Sequence, residues 1–181
     1  MIIKNEVTDA ILSRQTIREY KDIPLNDDQL ETLMKAALLA PSGRNGQPCH
    51  VRFITDKSML EEINHDFKEF VGYDTPAYTR AEKNPVYHNA PVMAMIFSEN
   101  GSKMDSGIMV ENIAICAKGI GLESVIIASV GALFDSPDSL KWKKRLNIPE
   151  NYVFDIAISV GYGDEKPEPK PRELSRIQLV K

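Results

Sequence analysis

Three polar side chains alternate near the start of the chain, in the segment SRQTIREY (13–20). Arg14, Thr16 and Arg18 occupy every second position, so an extended backbone would point all three to the same side. Guanidinium groups bind phosphate oxygens through paired N–H donors, and a hydroxyl between them adds a further donor. The segment therefore suits a phosphate group, although taken alone a charged, solvated strand face is the simpler interpretation.

A second polar stretch, APSGRNGQPCH (40–50), combines turn formers with amide side chains. Ser42, Asn45 and Gln47 offer both hydrogen-bond donors and acceptors, and the two glycines allow a ligand to approach the backbone. Side chains of this kind suit a flat heterocycle that carries carbonyl groups and ring nitrogens. The alternative is an ordinary loop between a helix and a strand.

Two cations alternate on a proline-rich segment near the C-terminus, KPEPKPR (166–172). The prolines predict an extended arm rather than a helix. Lys170 and Arg172 would either join Arg14 around an anion or simply keep the arm soluble.

The motifs of common hydrolases, metalloenzymes and nucleotide-binding enzymes are missing from the sequence. It contains no GxSxG, HExxH, GxGxxG or GxxxxGK[ST] pattern, and its three histidines are scattered. We therefore expect no metal site, and we expect Asp105 and Glu111 to cap and decorate a helix rather than form a catalytic pair. Polar binding groups without an evident nucleophile are typical of a protein whose bound cofactor does the chemistry.

The composition narrows the classes of function. The 181 residues fit one domain or one protomer of a compact oligomer, and 43% hydrophobic residues can bury a sizeable core. A net charge of −4, without a block of basic residues, argues against nucleic acid as the main partner. Two distant cysteines favour a reducing cytoplasm, and no apolar run approaches the roughly 20 residues of a membrane span.

The elements that would position these side chains follow from hydrophobic spacing and helix-capping signals. Asn26 and Gln29 predict a capping box at the start of a helix that Pro41 ends. The other predicted helices are 5–13, 57–70, 105–118 and one that begins with a serine cap within 136–146. The predicted strands are 51–55, 92–98, 124–129 and 153–162, with a long loop over 71–90. Helices that alternate with apolar strands predict an α+β or α/β fold around a small central sheet.

The predicted helix 105–118 carries apolar residues almost all round its surface. A helix of this composition is buried, either in the core or at a subunit interface. The sequence of the helix leaves both alternatives open.

Five segments, taken in order, resemble motifs of the nitroreductase family of FMN flavoproteins. SRQTIREY is similar to R-x-S-x-R, with Thr16 in place of serine, and APSGRNGQPCH is similar to A-P-S-x-x-N-x-Q-P-W, with Cys49 in place of tryptophan. NAPVMAMIF resembles the A-P-V strand, and DSGIMVENIAICAKGIGLESVIIAS resembles the D-x-G-x-x-x-x-N helix and the G-L-G strand. ISVGYGDEKPEPKPR resembles the terminal segment that ends in P-K-P-R. The matches keep the family order over nearly the whole chain.

The resemblance implies a fold and an assembly. Residues 1–181 would form a single α+β domain, a three-layer α/β/α sandwich with a central, mostly antiparallel sheet flanked by helices. Two chains would form an intertwined homodimer with FMN at the subunit interface. Helix 105–118 would then lie in the dimer core.

The resemblance also implies roles for individual residues. Arg14 and Thr16 would bind the phosphate end of FMN, Arg18 would approach the pyrimidine edge, and Lys170 and Arg172 would complete the phosphate pocket. The other subunit would contribute the loop residues Pro41, Ser42, Gly43, Asn45 and Gln47. The backbone N–H of Ser129, with Ala128 beside it, would face flavin N5, and Lys83 or Asn84 would reach the pyrimidine edge.

The implied activity is an NAD(P)H-dependent oxidoreduction. NADH or NADPH would pass a hydride through FMN to an acceptor that binds afterwards in the same place, which is a ping-pong scheme. Suitable acceptors are nitroaromatics, quinones, free flavins and activated alkenes. Dehalogenation or flavin fragmentation is the alternative within the family, and a non-catalytic FMN-binding redox protein or a globular protein without flavin is the alternative outside it.

Overall fold

In the computed structural model, which describes residues 2–73 and 84–181, four strands form one sheet. They are β1 (Cys49–Ile54), β2 (Val92–Glu99), β3 (Glu123–Ile127) and β4 (Tyr152–Gly161). Their order across the sheet is β1-β2-β4-β3, and each neighbouring pair is antiparallel. β1 and β3 are therefore the outer strands.

Five α-helices and three short 3-10 segments accompany the sheet in this described part of the chain. The helices are α1 (Glu6–Ser13), α2 (Asp27–Leu38), α3 (Lys57–Val71), α4 (Lys103–Gly119) and α5 (Ser139–Arg145). The 3-10 segments are Gly43–Asn45, Ser129–Phe134 and Leu174–Arg176. None of the described helices is long and apolar enough to cross a membrane.

The capping box predicted at the start of α2 is confirmed. The Asn26 side-chain oxygen accepts a hydrogen bond from the Gln29 backbone N–H at 2.9 Å, and the Gln29 side-chain oxygen accepts one from the Asn26 N–H at 3.1 Å. These two bonds satisfy backbone donors that the helix itself leaves without partners. Four residues of sequence are therefore enough to locate this helix start.

Helices cover both faces of the sheet, and β2 shows why. Met93, Met95 and Phe97 pack in one buried cluster with α3, α5 and the Ser129–Phe134 segment. The alternate residues of β2 point to the opposite face and pack with α2 and α4. Because β2 is apolar on both sides, both sides must be covered. The result is the predicted α+β sandwich of three layers with an antiparallel central sheet.

Helix α4 is buried on one side only within the single chain. Val110, Ile113 and Ala114 pack in the cluster on the sheet. Met104 is 81% exposed and Ile108 is 38% exposed on the other side. The core alternative therefore accounts for one face of this apolar helix, while the other face is left uncovered.

One predicted strand is too long. The strand predicted over 124–129 ends at Ile127, so Ala128 and Ser129 lie beyond it. The chain turns there into a 3-10 segment, in which the Gly131 N–H donates to the Ala128 carbonyl at 3.0 Å. Hydrophobic spacing does not detect this turn because Ala128 is itself a small apolar residue.

The predicted serine cap within 136–146 is wrong as well. Helix α5 begins at Ser139 after Asp138, and no side-chain hydrogen bond from the described residues caps it. The Ser136 hydroxyl accepts from the Asp138 N–H at 3.1 Å and donates to the Leu133 carbonyl at 2.7 Å within the preceding turn. The predicted loop 71–90 is described only at its two ends, and residues 74–83 of it lie outside the described residues. Val86 and Tyr87, in its last part, are buried in the core.

Gly161, the last residue of β4, occupies a position with no room for a side chain. A Cβ atom there would lie 2.6 Å from Pro91 Cδ and 3.0 Å from Tyr20 Cδ1. We expect Gly161→Ala to lower the free energy of unfolding by about 1–3 kcal/mol, because a rigid ring would have to shift. Urea denaturation measures the change.

The matched control is Gly119→Ala at the end of α4, where nothing lies within 4 Å of an added Cβ atom. This variant should keep or slightly exceed the wild-type stability. Equal stability of both alanine variants would contradict the packing argument at Gly161.

Candidate cofactor-binding site

The segment that holds Arg14, Thr16 and Arg18 runs beside strand β3. The buried Ile17 donates its backbone N–H to the Ser124 carbonyl at 3.0 Å, and Thr16 forms a parallel bridge to the same residue. Because side chains alternate along an extended segment, the burial of Ile17 turns Thr16 and Arg18 to the other side. Arg14 and Thr16, predicted to bind the phosphate, and Arg18, predicted to lie at the pyrimidine edge, are all partly exposed.

Acidic residues contact both arginines of this segment. Arg14 Nε lies 3.6 Å from Glu111 Oε1 on α4. The Arg18 backbone N–H donates to the Glu165 carboxylate. Burial, followed by the charge of Arg18, lowers the pKa of His88 to about 4 against an opposing effect of Glu165. His88 is therefore neutral at pH 7 and adds no second positive charge near Arg18.

The 41–47 loop is mostly exposed and has an unusual backbone. Arg44, Asn45 and Gln47 have φ angles of 53°, 56° and 47°, in the left-handed region that residues other than glycine seldom adopt. Gly46 has an ordinary φ of −69°, but a Cβ atom there would lie 3.1 Å from a backbone carbonyl oxygen. The glycine thus provides space, and the unusual backbone angles fall on its neighbours.

Two hydrogen bonds stabilise this loop, one within it and one to helix α4. The Gln47 N–H donates to the Ser42 hydroxyl at 3.0 Å, and the Gly43 N–H donates to Asp105 Oδ1 on α4 at 2.9 Å. Ser102 donates its hydroxyl to the other carboxylate oxygen of Asp105 at 2.6 Å. The sequence indicated only a helix-capping role for Asp105. Its place at the head of the D-x-G-x-x-x-x-N pattern was the signal for a wider role.

The turn after β3 presents the backbone groups predicted to face a flavin. Ala128 and Ser129 are both exposed, and Ser129 begins the 3-10 segment. The first N–H groups of a helical segment have no acceptor within it, so the Ser129 N–H is available to a ligand. A pocket of about 300 Å³ adjoins this turn and is lined by Ala128, Gly131, Phe134 and Asp155 among others.

Other predicted site residues lie apart within one chain. Thr16 pairs with Ser124, three residues and roughly 10 Å before β3 ends at Ile127, and Ser129 lies in the turn beyond that end. Lys170 and Arg172 lie on the exposed C-terminal arm, where the Arg172 guanidinium donates to the Lys170 carbonyl at 3.2 Å. A ligand that contacts both Thr16 and Ser129 must therefore be elongated. Asn84 is exposed, and Lys83 lies outside the described residues.

Comparison with known sequences decides the family. A sequence model of the nitroreductase family matches residues 11–162. The chain belongs to the nitroreductase family. The resemblance drawn from the order of the five motifs is therefore confirmed.

The relatives of this nitroreductase-family chain include proteins named as a nitroreductase, a flavin oxidoreductase and a deiodinase. An Archaeoglobus fulgidus protein assigned to the NADH dehydrogenase/NAD(P)H nitroreductase class is 30% identical over 89% of this chain and 88% of its own length. The NADPH-flavin oxidoreductase of Vibrio harveyi is 28% identical over 93% of this chain and 70% of its own. The iodotyrosine deiodinase of Thermotoga neapolitana is 26% identical over 90% of each.

Solved structures show the same fold. A nitroreductase with bound FMN from Desulfitobacterium hafniense superposes with a TM-score of 0.89, over 99% of this chain and 100% of that one, at 23% identity. The predicted nitroreductase-like fold is therefore confirmed.

This nitroreductase-family chain departs from the family motif at Cys49, and the structure shows the surroundings of the replacement. Cys49 Sγ lies 3.3 Å from the Ser106 hydroxyl oxygen, and burial raises the pKa of the thiol. A groove of about 820 Å³ opens beside it, lined by apolar side chains that include Met34, Leu38 and Phe53. Cys49 is therefore a protonated, hydrogen-bonded residue at neutral pH, beside open space.

Proposed function

We propose that this protein is an FMN-dependent oxidoreductase that transfers a hydride from NADH or NADPH to a small electron acceptor. The observation that carries the proposal is the alternating row of Arg14, Thr16 and Arg18, held in extended form beside β3 within a nitroreductase fold. The D. hafniense protein with the same fold was solved with FMN, and the V. harveyi relative is named an NADPH-flavin oxidoreductase. Both names support a flavin as the cofactor, and the second supports a nicotinamide as the reductant.

The donor groups of the row and the arm fit the phosphate and pyrimidine ends of FMN. Arg14 and Thr16 offer paired N–H donors and a hydroxyl to the phosphate, and Lys170 and Arg172 would add two further cations. Arg18 would lie at the pyrimidine edge, where a positive charge stabilises a reduced, anionic flavin. The elongated shape of FMN also suits the separation between Thr16 and the turn at Ser129.

The 41–47 loop fits the flavin ring from the second subunit. The Asn45 and Gln47 amides match a ring that presents both carbonyl oxygens and ring nitrogens. Pro41, Ser42 and Gly43 would place backbone close to the ring, since none of them carries a bulky side chain. These residues bind and orient the cofactor and need no proton-transfer role.

Bound FMN would supply the redox chemistry, accepting a hydride at N5 from NAD(P)H and passing it to an acceptor. The Ser129 N–H, free at the start of its 3-10 segment, would donate a hydrogen bond at N5, with Ala128 beside it. Nitroaromatics, quinones and free flavins are flat and would stack where the nicotinamide stacked before. Reductant and acceptor therefore bind in turn, as a ping-pong scheme requires.

Both cysteines are free thiols, which suits a reducing cytoplasm.

A second copy of the chain would complete the site, because the single chain exposes apolar residues on several elements. They include Val7, Ile11 and Leu12 on α1, Met104 and Ile108 on α4, and Leu174, Ile177, Leu179 and Val180 in the tail. Exposed apolar residues on α1 and α4, which contact each other, and on the tail suit a protein interface. The outer strand β1 and the apolar groove beside it suit an extended tail from the partner. A homodimer would bring the polar loop of one chain to the arginine row of the other.

Removal of the tail tests the dimer. We expect deletion of residues 174–181 to convert the dimer to a monomer and to lower FMN occupancy, because Leu174 and Ile177, 87% and 88% exposed in the single chain, would lose their partner surface. Light scattering coupled to size exclusion measures the mass. Deletion of Lys181 alone is the control and should leave a dimer, whereas a dimeric, flavin-loaded 1–173 chain would contradict the role of the tail.

The visible spectrum of the purified protein tests the proposed function. We expect a flavin spectrum that bleaches on anaerobic addition of NADH or NADPH and returns when a nitroaromatic or quinone is added. The relative rates with the two nicotinamides would rank them as reductants. A protein that binds no flavin after reconstitution would overturn the proposal, and a flavin that neither nicotinamide reduces would favour a non-catalytic redox role.

Reductive dehalogenation is the second candidate, favoured by the relative named iodotyrosine deiodinase. Reduced FMN would supply the two electrons for that reaction, in which a proton takes the place of the halogen on the ring and halide leaves. Release of iodide from iodotyrosine by the dithionite-reduced protein, with negligible NAD(P)H oxidation, would favour this candidate over the first.

A further inference from the structure

Helix α4 contacts the start of the 41–47 loop and also the first residue of β1, just beyond the end of the loop. Near the entry, the Gly43 N–H donates to Asp105 Oδ1 at 2.9 Å. Beyond the exit, Cys49 Sγ lies 3.3 Å from the Ser106 hydroxyl oxygen. Asp105 and Ser106 are consecutive residues in the first turn of α4, which begins at Lys103. One short stretch of helix therefore contacts the loop near its start and β1 just beyond its end.

The two α4 residues are in turn fixed to the sheet. The Ser102 hydroxyl donates to Asp105 Oδ2 at 2.6 Å, and the Ser102 N–H donates to the Ser98 hydroxyl oxygen at 2.6 Å. The Ser98 and Ser106 hydroxyls both donate to Asp155 Oδ2. Asp155 lies at a bulge, because the pairing of β2 with β4 skips this residue. A bulge redirects a side chain, and here it accompanies a continuous hydrogen-bonded connection from the sheet to the loop.

The backbone of the loop needs such an anchor. Arg44, Asn45 and Gln47 all occupy the left-handed region, and all three side chains are exposed. Non-glycine residues persist there only where the surroundings determine their conformation. The Ser42–Gln47 hydrogen bond is internal to the loop and does not attach it to the rest of the protein. The attachment at the entry is the bond between Gly43 and Asp105.

We propose that Asp105 is a positioning residue for flavin binding, which holds Gly43 and thereby keeps the 41–47 loop in the conformation that contacts the flavin ring. This inference rests on the proposed FMN function. Hydrogen bonds from Ser102 and then from Gly43 lower the pKa of Asp105, so its carboxylate is ionised at neutral pH. Asp105 acts through the loop and does not touch the reacting atoms.

Titration of the flavin-free protein with FMN, followed by the quenching of flavin fluorescence, tests this role. We expect Asp105→Ala to raise the Kd for FMN about tenfold or more, because a hydrogen bond to a charged acceptor is lost. Asp105→Asn should stay within about threefold of wild type, since its side-chain oxygen still accepts from the Gly43 N–H. Asp27→Ala, which removes an exposed acid from the first turn of α2, is the matched control and should leave the Kd unchanged.

Hydrogen exchange of residues 42–47 in the flavin-free variants gives a readout independent of flavin. Exchange should accelerate in Asp105→Ala and match wild type in Asp105→Asn. A wild-type Kd for Asp105→Ala would overturn the inference while the FMN function stands, and so would an equal loss in the alanine and asparagine variants. A wild-type protein that binds no FMN would instead overturn the proposed function, and the inference with it.

A second variant covers the case in which Asp105→Ala does not fold. Ser102→Ala removes the hydroxyl that fixes the other oxygen of Asp105 and should raise the Kd for FMN by about threefold. An unchanged Kd in this folded variant would overturn the positioning role.

Discussion

Arg14→Ala should weaken FMN binding by about 10- to 150-fold. A charge-assisted hydrogen bond to phosphate contributes about 1.5–3 kcal/mol, and each 1.4 kcal/mol corresponds to a factor of ten in Kd. Arg14 stands first in the alternating row, and its guanidinium is placed by Glu111 at 3.6 Å. Fluorescence titration of the flavin-free variant with FMN measures the loss.

Arg14→Ala should change the free energy of unfolding only slightly. A loss of FMN affinity in this variant would therefore reflect lost contacts with FMN and not a loss of folded protein. The Arg14 and Glu111 side chains are 24% and 45% exposed, and exposed ion pairs contribute only about 0–1 kcal/mol. Arg14→Lys keeps the charge but loses the paired donors, so its Kd should fall between those of wild type and the alanine variant. An alanine variant that binds FMN as tightly as wild type would remove Arg14 from the phosphate pocket.

Trp142→Ala should lower the free energy of unfolding by about 3–5 kcal/mol. Trp142 is the single tryptophan of the chain and is fully buried. Removal of a large buried aromatic side chain loses its burial and leaves a cavity. Its indole N–H also donates to Asp66 Oδ2 at 3.0 Å, and the Arg145 guanidinium lies 4.6 Å from the ring centroid. Urea denaturation followed by circular dichroism measures the loss, because the variant has no tryptophan fluorescence.

Trp142→Ala should also weaken flavin binding. Trp142 belongs to the buried cluster that includes Val130 and Leu133, which lie in the turn that Ser129 begins. We therefore expect Trp142→Ala to lower FMN occupancy as well. Trp142→Phe keeps an aromatic ring and removes the N–H, so it should lose clearly less stability, about 1.5–3 kcal/mol. Equal stability of the alanine variant and wild type would contradict the packing role of this residue.

Much of the fold was predictable because its signals are local. The capping box at Asn26 and Gln29 spans four residues, and the two-sided apolar run of β2 indicates a strand covered on both faces. Helix periodicity likewise depends on neighbours three or four positions apart. The boundary at Ser129 went wrong because the turn follows β3 without a change of hydrophobicity. The helix start at Ser139 went wrong because Ser136, Asp138 and Ser139 all carry side chains that favour a helix cap.

The sequence was enough to propose which residue types make up the candidate site. It did not indicate the backbone conformation of the loop that carries some of them. Alternation identified Arg14, Thr16 and Arg18, since side-chain direction in an extended segment depends only on position. The left-handed backbone of Arg44 and Asn45 was not predictable, because the sequence offers neighbouring glycines as the obvious candidates for that role. Glycines at such positions usually mark a positive φ, whereas here Gly46 provides space.

The sequence by itself determined the family, the order of helices and strands, and the set of groups suited to a phosphate and a flat ring. Only the tertiary structure decided what holds those groups in place. Asp105 and Gly43 are 62 residues apart, and their hydrogen bond exists because the packing of α4 on the sheet brings the helix start to the loop. Likewise, only the packed structure shows that Pro91 and Tyr20 exclude a side chain at Gly161. Contacts between residues that are distant in the sequence depend on how the layers pack. The spacing of residues along the chain does not predict that packing.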